Sequence, residues 1–301
     1  MSLSIDAILA QAMLGLTNGA FYAILSLGLA VIFGLLNIIN FAHGAMYMLG
    51  AMVALIGYSY LGTWIGFPEL QTGFWWALAL APLVVAIFGM IIERTMLKRL
   101  YQLDHLYGLL LTFGIALVLQ GYFLNYFSTG GTPYPATPSL LKGAVDLGFM
   151  YFPTYRLFAI IASLAVCFAT WYVIERTKIG ALLRAGTENP GLVQAFGVNV
   201  PLMVTLTYGF GVALAAFAGV VAAPIYSISP LMGADLIIIV FAVVVIGGMG
   251  SIMGAIVTGL SLGMIEGLTK VIYAPAANTV IFLLMVLVLL VRPAGLFGKE
   301  R

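Results

Sequence analysis

Few residues in this chain could do chemistry, and many of those that could lie in one polar stretch, residues 175–201, ERTKIGALLRAGTENPGLVQAFGVNVP. Asn189 followed by Pro190 marks a helix start. The asparagine side chain can accept from an orphan backbone N–H, and proline at the first helical position gives up an N–H that has no partner there. Gly197 is the matching stop, because glycine enters the left-handed cap without penalty. The spacing predicts a helix of about two turns, too short to hold its shape alone in water, so it must dock on something. An ordinary connecting loop with one helical turn is the plainer alternative. A second group, Asn37, Asn40 and His43, falls in a break between two apolar runs. Asparagine and glycine permit an unwound backbone there, which lipid tolerates only where protein or a watery cavity surrounds it. His43 then either lines a pathway or packs as a hydrogen-bonded histidine near the interface. Asp235 and Glu266 are further carboxylates near or within apolar runs. A charge at mid-bilayer is costly, so such groups face the interior of a helix bundle or sit at helix ends. Lys270, four residues after Glu266, is a candidate partner.

The missing motifs narrow the field. No G-x-x-x-x-G-K-[ST] phosphate loop occurs, so the chain does not itself hydrolyse ATP by that machinery. No His/Cys cluster has metal-ligand spacing, and neither H-E-x-x-H nor G-x-S-x-G is present. Neither catalytic residues nor a metal or cofactor site is therefore expected. A net charge of +2 without a basic stripe excludes nucleic acid as a partner. The single cysteine, Cys167, lies in an apolar run and excludes an internal disulfide.

The elements that must position these groups are set by composition. Hydrophobic residues make up 63% of 301 and charged residues only 7%, with a mean hydropathy of +1.15. A soluble domain carries about 25% charged residues, so the outer surface of this chain must face lipid. The expected fold is an all-α polytopic membrane bundle of about eight or nine transmembrane helices, some broken, forming one transmembrane domain over residues 1–301 with residues 175–201 as a loop within it. Apolar runs predict helices near 8–35, 39–60, 74–92, 106–127, 157–174, 202–224, 235–250, 252–270 and 276–292. The first run lacks a basic flank and is too long for a cleavable signal peptide. The run Gly247-Gly248-Met249-Gly250-Ser251 is either a tight turn between two short spans or a kink in one long helix.

Placing the N-terminus outside, with nine crossings, puts Arg94, Lys98, Arg99, Arg176, Lys178, Arg184, Arg292, Lys299 and Arg301 in the cytoplasm. Lys142, Arg156 and Lys270 fall outside, in the sense the positive-inside rule demands. No basic residue precedes Arg94, so the first helices contribute nothing to that test. Ile91-Ile92-Glu93-Arg94-Thr95 and Val173-Ile174-Glu175-Arg176-Thr177 close two of the predicted helices with one pattern, a structural repeat or a coincidence of exit chemistry. Aromatics at 126–127 and the Pro/Gly-rich stretch after them open the longest outer loop. That loop is either a docking surface for an extracytoplasmic partner or a lid. Gly15 with Gly19, Gly259 with Gly263, and Gly247, Gly250 and Gly254 predict close helix packing.

Three segments together resemble one family. Asn40-Phe41-Ala42-His43-Gly44-Ala45-Met46-Tyr47-Met48-Leu49-Gly50 is similar to an early signature of the permease subunits of bacterial branched-chain amino acid ABC importers. Arg184-Ala185-Gly186-Thr187-Glu188-Asn189-Pro190, running on to Gly197-Val198-Asn199, resembles their cytoplasmic coupling loop. Arg292-Pro293, followed by Gly295-Leu296-Phe297-Gly298, is similar to their C-terminal pattern. The chain looks like the smaller of the two permeases. The resemblance implies a multi-pass protein of the bacterial inner membrane, fed by an extracytoplasmic substrate-binding protein. It would pair with a second permease subunit, as a hetero- or homodimer, and be driven by two cytoplasmic ABC ATPase subunits that bind the ATP. It places the coupling helix at 189–197, with Arg184, Glu188, Asn189, Pro190, Gln194 and Gly197 facing the ATPase, and makes Asn40 and His43 possible pathway residues. Gly186 and Gly191 depart from the family pattern and loosen this loop. The implied substrates are branched-chain amino acids, although similar permeases serve urea, short amides and aromatic acids. A stand-alone secondary transporter or channel for a small polar solute is the alternative.

Overall fold

The computed structural model describes residues 4–36, 39–61, 73–101 and 103–298. Among these, the main helices are α1 Ile5–Leu36, α2 Ala42–Ser59, α3 Phe74–Thr95, α4 His105–Leu124, α5 Thr154–Arg176, α6 Lys178–Glu188, α7 Pro190–Ala195, α8 Val200–Ala222, α9 Met232–Gly247, α10 Ile252–Tyr273 and α11 Ala277–Val291. Each predicted apolar run is helical, and no boundary moves by more than three residues. The chain is an all-α, multi-pass membrane protein. Stretches long and apolar enough to cross a bilayer, among the described residues, are Ile5–Gly34, Phe74–Arg99, His105–Leu124, Thr154–Arg176, Val200–Ala222 and Ile252–Val291, with Met232–Gly247 a shorter apolar helix.

The last of these stretches is 40 residues, which as one straight helix would be about 60 Å long. Its ends are instead adjacent. Leu296 N donates to Ile246 O at 2.8 Å and Phe297 N to Gly247 O at 3.1 Å, just beyond either end of the stretch. It therefore folds back at the short 3-10 turn Ala274–Ala276, and α10 and α11 are the two arms of a hairpin. The glycine run before α10 is a turn and not a kink: Gly248 and Gly250 have φ of +98° and +82°, and the Ser251 side chain caps α10 by accepting from Gly254 N at 3.1 Å. Gly250 thus serves the turn and not helix packing, whereas Gly247 and Gly254 do approach closely.

The chain divides into two compact units, each drawn from separate stretches of sequence. The first comprises Met1–Leu27, Pro138–Phe168 and Ile238–Arg301. In it α1 and α10 run antiparallel, with Ala23 against Gly259, Gly19 against Gly263 and Gly15 against Gly267. A Cβ on Gly263 would lie 2.2 Å from the Gly19 Cα, so the backbones touch where only glycine fits. Glu266 faces inward, 3% exposed. Lys270 Nζ donates to one carboxylate oxygen at 2.5 Å and Tyr22 Oη to the other at 2.7 Å. Asp235, in the second unit, stands in the first turn of α9, where the helix dipole favours an acid. Part of the long loop is ordered: Ala144–Asp146 and Tyr151–Pro153 form a two-stranded antiparallel hairpin that the sequence reading did not anticipate.

The second unit comprises Gly28–Thr137 and Ala169–Ile237. Its centre is α2, buried without a break from Ala42 to Met52 and seated on α8, where a Cβ on Gly50 would fall 2.2 Å from Ala216 O. Along α3 and α8, Gly89 meets Val212 and Gly209 meets Met90. Helix α4 buries only Gly108, Thr112, Ala116 and Phe123, a stripe one residue wide. Much of the rest of α4 is apolar and exposed, as a surface toward lipid must be.

Candidate functional site: the polar strip between α5 and α8

The site lies within the second unit and starts at the corner where α5 ends. A Cβ on Gly180 would sit 1.7 Å from the Ile174 carbonyl oxygen, so only glycine lets α6 fold back so tightly. Arg184 closes the corner. Its guanidinium donates to the same Ile174 oxygen at 2.5 Å and stands 3.5 Å from the Glu175 carboxylate. Arg184 is thus engaged within the chain, while Glu188, the last residue of α6, is exposed. The sequence reading assigned no helix to 178–188, because Gly180 and Gly186 disguise it.

The short helix α7 is built from its caps. Asn189 accepts from Leu192 N at 3.0 Å and Pro190 takes the first turn. At the other end Gly197 has φ +84°. Gly197 N donates to Gln194 O at 2.9 Å and Val198 N to Val193 O at 3.4 Å, the paired bonds of a Schellman cap. Asn199 then starts α8 by accepting from Leu202 N at 3.1 Å. These caps hold six residues in helical form that would not stay helical alone. Val193 points inward, Gln194 is exposed, and Leu192 and Phe196, one turn apart, are 55% and 80% exposed. Gln194, expected from the sequence to face a partner, is thus exposed, and beside it lies an exposed apolar pair that the sequence expectation does not include; two large hydrophobics at i, i+4 in a polar loop are its signal.

Beneath α7 an open cleft of about 290 Å³ is lined by Glu93, Lys98, Tyr101, Thr187, Pro190 and Pro201, among others. Glu93 is 1% exposed. Tyr101 Oη donates to its Oε1 at 2.6 Å and Thr205 Oγ1 to its Oε2 at 2.6 Å. Short hydroxyl bonds to a carboxylate are among the stronger hydrogen bonds. Burial first, and then the bond to Glu93, raise the Tyr101 phenol above its ordinary pKa, so it stays a donor. The sequence reading took Glu93 only as part of an exit signal.

The break between α1 and α2 lies in the same unit. Asn37 is outside the described residues; Asn40 and His43 are both buried. Asn40 Oδ1 accepts from Ala42 N at 3.1 Å. Thr112 of α4 accepts from Phe41 N at 3.1 Å and donates toward Ile39 O at 3.4 Å and Leu109 O at 3.0 Å, so the backbone groups of Phe41 and Ile39 find a protein partner. The His43 ring packs where a side chain on Gly28 would stand. The Asn40 amide faces the Tyr208 hydroxyl, although neither Asn40 Nδ2 nor Tyr208 Oη completes a bond of full hydrogen-bonding geometry. The structure therefore gathers Arg184, Glu188, Asn189, Pro190, Gln194 and Gly197 at one strip, and places Asn40 and His43 elsewhere in the unit, beside α8.

Comparison with known proteins gives a consistent result. The profile described as "Branched-chain amino acid transport system / permease component" matches residues 11–291. The chain is 31% identical to the high-affinity branched-chain amino acid transport system permease protein LivH of Escherichia coli K12, over 95% of this chain and 94% of that protein. Identity to BraD of Pseudomonas aeruginosa, of the same description, is also 31%, over 97% and 96%. To LivM of Escherichia coli K12, another permease protein of the same description, it is 27%, over 93% of this chain but 68% of LivM. No solved structure matches. This is a family of transport permeases and not of enzymes. A profile that spans nearly the whole chain, and full-length likeness to LivH and BraD, the smaller kind of permease, show that the chain belongs to the branched-chain amino acid transport system permease family.

Proposed function

We propose that this chain is one of two permeases in an ATP-driven importer and that α7 is the part through which an ATPase acts on it. The observation that supports this most directly is α7 itself. It is a six-residue helix capped at both ends, presenting Leu192 and Phe196 outward and joined to the membrane-crossing α8 by Gly197, Val198 and Asn199. An exposed aromatic on a rigid short helix suits insertion into a groove of a soluble partner. In this reading the N-terminus is outside, the α5–α8 strip and the C-terminus are cytoplasmic, and two ATPase subunits hold the ATP. A substrate-binding protein delivers branched-chain amino acids from the outer side, and the second permease is of the LivM kind. Asn40, His43 and Tyr208 line part of the path, supplying polar groups at an unwound segment, where the full backbone ladder is absent.

The test is uptake of radiolabelled leucine into proteoliposomes containing this chain and its partner permease, with and without the ATPases. The expected result is uptake that requires the ATPases, ATP and the binding protein, and that is lost on deleting residues 189–197. Uptake by the chain alone on an ion gradient would establish a secondary transporter instead. Phe196→Cys is expected to crosslink to the ATPase in the assembled complex.

A further inference from the structure

Glu93 has no part in docking or in the proposed path, yet among the described residues it is the most enclosed carboxylate of the second unit. It stands at the end of α3, and its two oxygens join three pieces of chain. Thr205 is in the second turn of α8, Tyr101 follows the 3-10 turn Leu97–Arg99, and Glu93 itself belongs to α3. The cleft that Glu93 lines is bounded on its other side by Thr187 and Pro190, at the junction of α6 and α7. Further along the α3–α8 interface, Met90 meets Gly209 and Gly89 meets Val212. There, glycine meets a flexible or branched apolar side chain, a fit that fixes distance more than register. The carboxylate bonds are directional and fix register.

We propose that Glu93 is a positioning residue that locks the start of α8 to α3, so that a displacement of α7 moves α8 and α3 as one rigid body. Three residues beyond Thr205 stands Tyr208, facing Asn40 at the unwound segment. With the lock in place, a push on α7 moves Tyr208 and α3 together; without it, α8 slides on α3, and α3 is left behind. The proposal rests on reading α7 as the element moved by the ATPase.

The experiment uses the complete reconstituted transporter and measures leucine uptake and ATP hydrolysis separately. Glu93→Ala is expected to lower uptake per ATP hydrolysed about tenfold, the scale of losing bonds to a charged group, while hydrolysis changes by less than about twofold. Glu93→Gln keeps an acceptor for one hydroxyl and offers a donor to the other, and is expected to restore most of the ratio. Thr205→Val, which removes one of the two bonds, is expected to fall between. A merely structural role would lower uptake and hydrolysis together, in proportion to folded protein, and that result overturns the proposal, as does an unchanged ratio in Glu93→Ala. Should Glu93→Ala fail to reach the membrane, Thr205→Val and Tyr101→Phe decide, since each leaves the carboxyl one donor; an unchanged ratio in both overturns it. Absence of ATP-dependent uptake in the parent complex would strike the permease reading and not Glu93.

Discussion

The ends of α3 and α5 carry nearly the same five residues, Ile91-Ile92-Glu93-Arg94-Thr95 and Val173-Ile174-Glu175-Arg176-Thr177, and put them to different ends. Locally they agree. Thr95 Oγ1 donates to Ile91 O at 2.6 Å and Thr177 Oγ1 to Val173 O at 2.5 Å, the same backward bond closing each helix. The glutamates then part. Glu93 is buried beneath two hydroxyls, whereas the Glu175 side chain is 44% exposed and stands 3.5 Å from Arg184. What separates them comes later in the chain. After Thr95 a 3-10 turn returns Tyr101 to the carboxylate, and α8 brings Thr205; after Thr177, Gly180 lets α6 fold on the corner and supplies a cation. A half-exposed ion pair contributes roughly 0–1 kcal/mol. Removing one side of a buried charge-assisted bond costs about 1.5–3 kcal/mol. One motif therefore yields a rigid joint in one place and a solvated corner in the other.

The largest expected break in that contrast is Glu93→Ala, which should lower the unfolding free energy of the purified protein by about 3 kcal/mol or more, read by thermal melting in detergent. Next comes the corner after α5. Gly180→Ala would force a methyl against a backbone oxygen that cannot yield as a side chain can, for a loss of about 1–3 kcal/mol. Limited proteolysis between residues 177 and 189 should become faster, while Gly191→Ala, whose added methyl would meet only an ordinary contact with Asn189, should melt like the parent. Asn189→Ala removes the α7 cap, costs about 1 kcal/mol of local helix stability, and should raise amide exchange at residues 190–195. The smallest effect is Glu175→Gln, within about 1 kcal/mol and diminishing with added salt. If Glu175→Gln proved as damaging as Glu93→Ala, the two pentads would be equivalent after all.

How much of this could be read from the letters depends on the distance over which each feature is decided. The caps of α7 were legible because Asn189, Pro190 and Gly197 act on backbone groups within five residues. The Glu266–Lys270 pair was legible for the same reason, being one helical turn, and so were the glycine ladders of α1 and α10. The Tyr22 bond to Glu266 spans 244 residues and the Thr205 bond to Glu93 spans 112, and no local pattern announces either. The hairpin after Leu141 escaped because strands of three residues carry no usable alternation. Helix α6 escaped because its glycines, chosen for close approach, lower the helix propensity on which sequence reading depends.

Thr112 has a single hydroxyl hydrogen and two carbonyls within its reach, Ile39 O from the unwound passage and Leu109 O from its own helix. If the passage shifts, that hydrogen turns wholly to Leu109, and the hydroxyl does not go unsatisfied. Sharing of this kind lets the broken segment part from α4 without leaving a stranded donor behind in that helix.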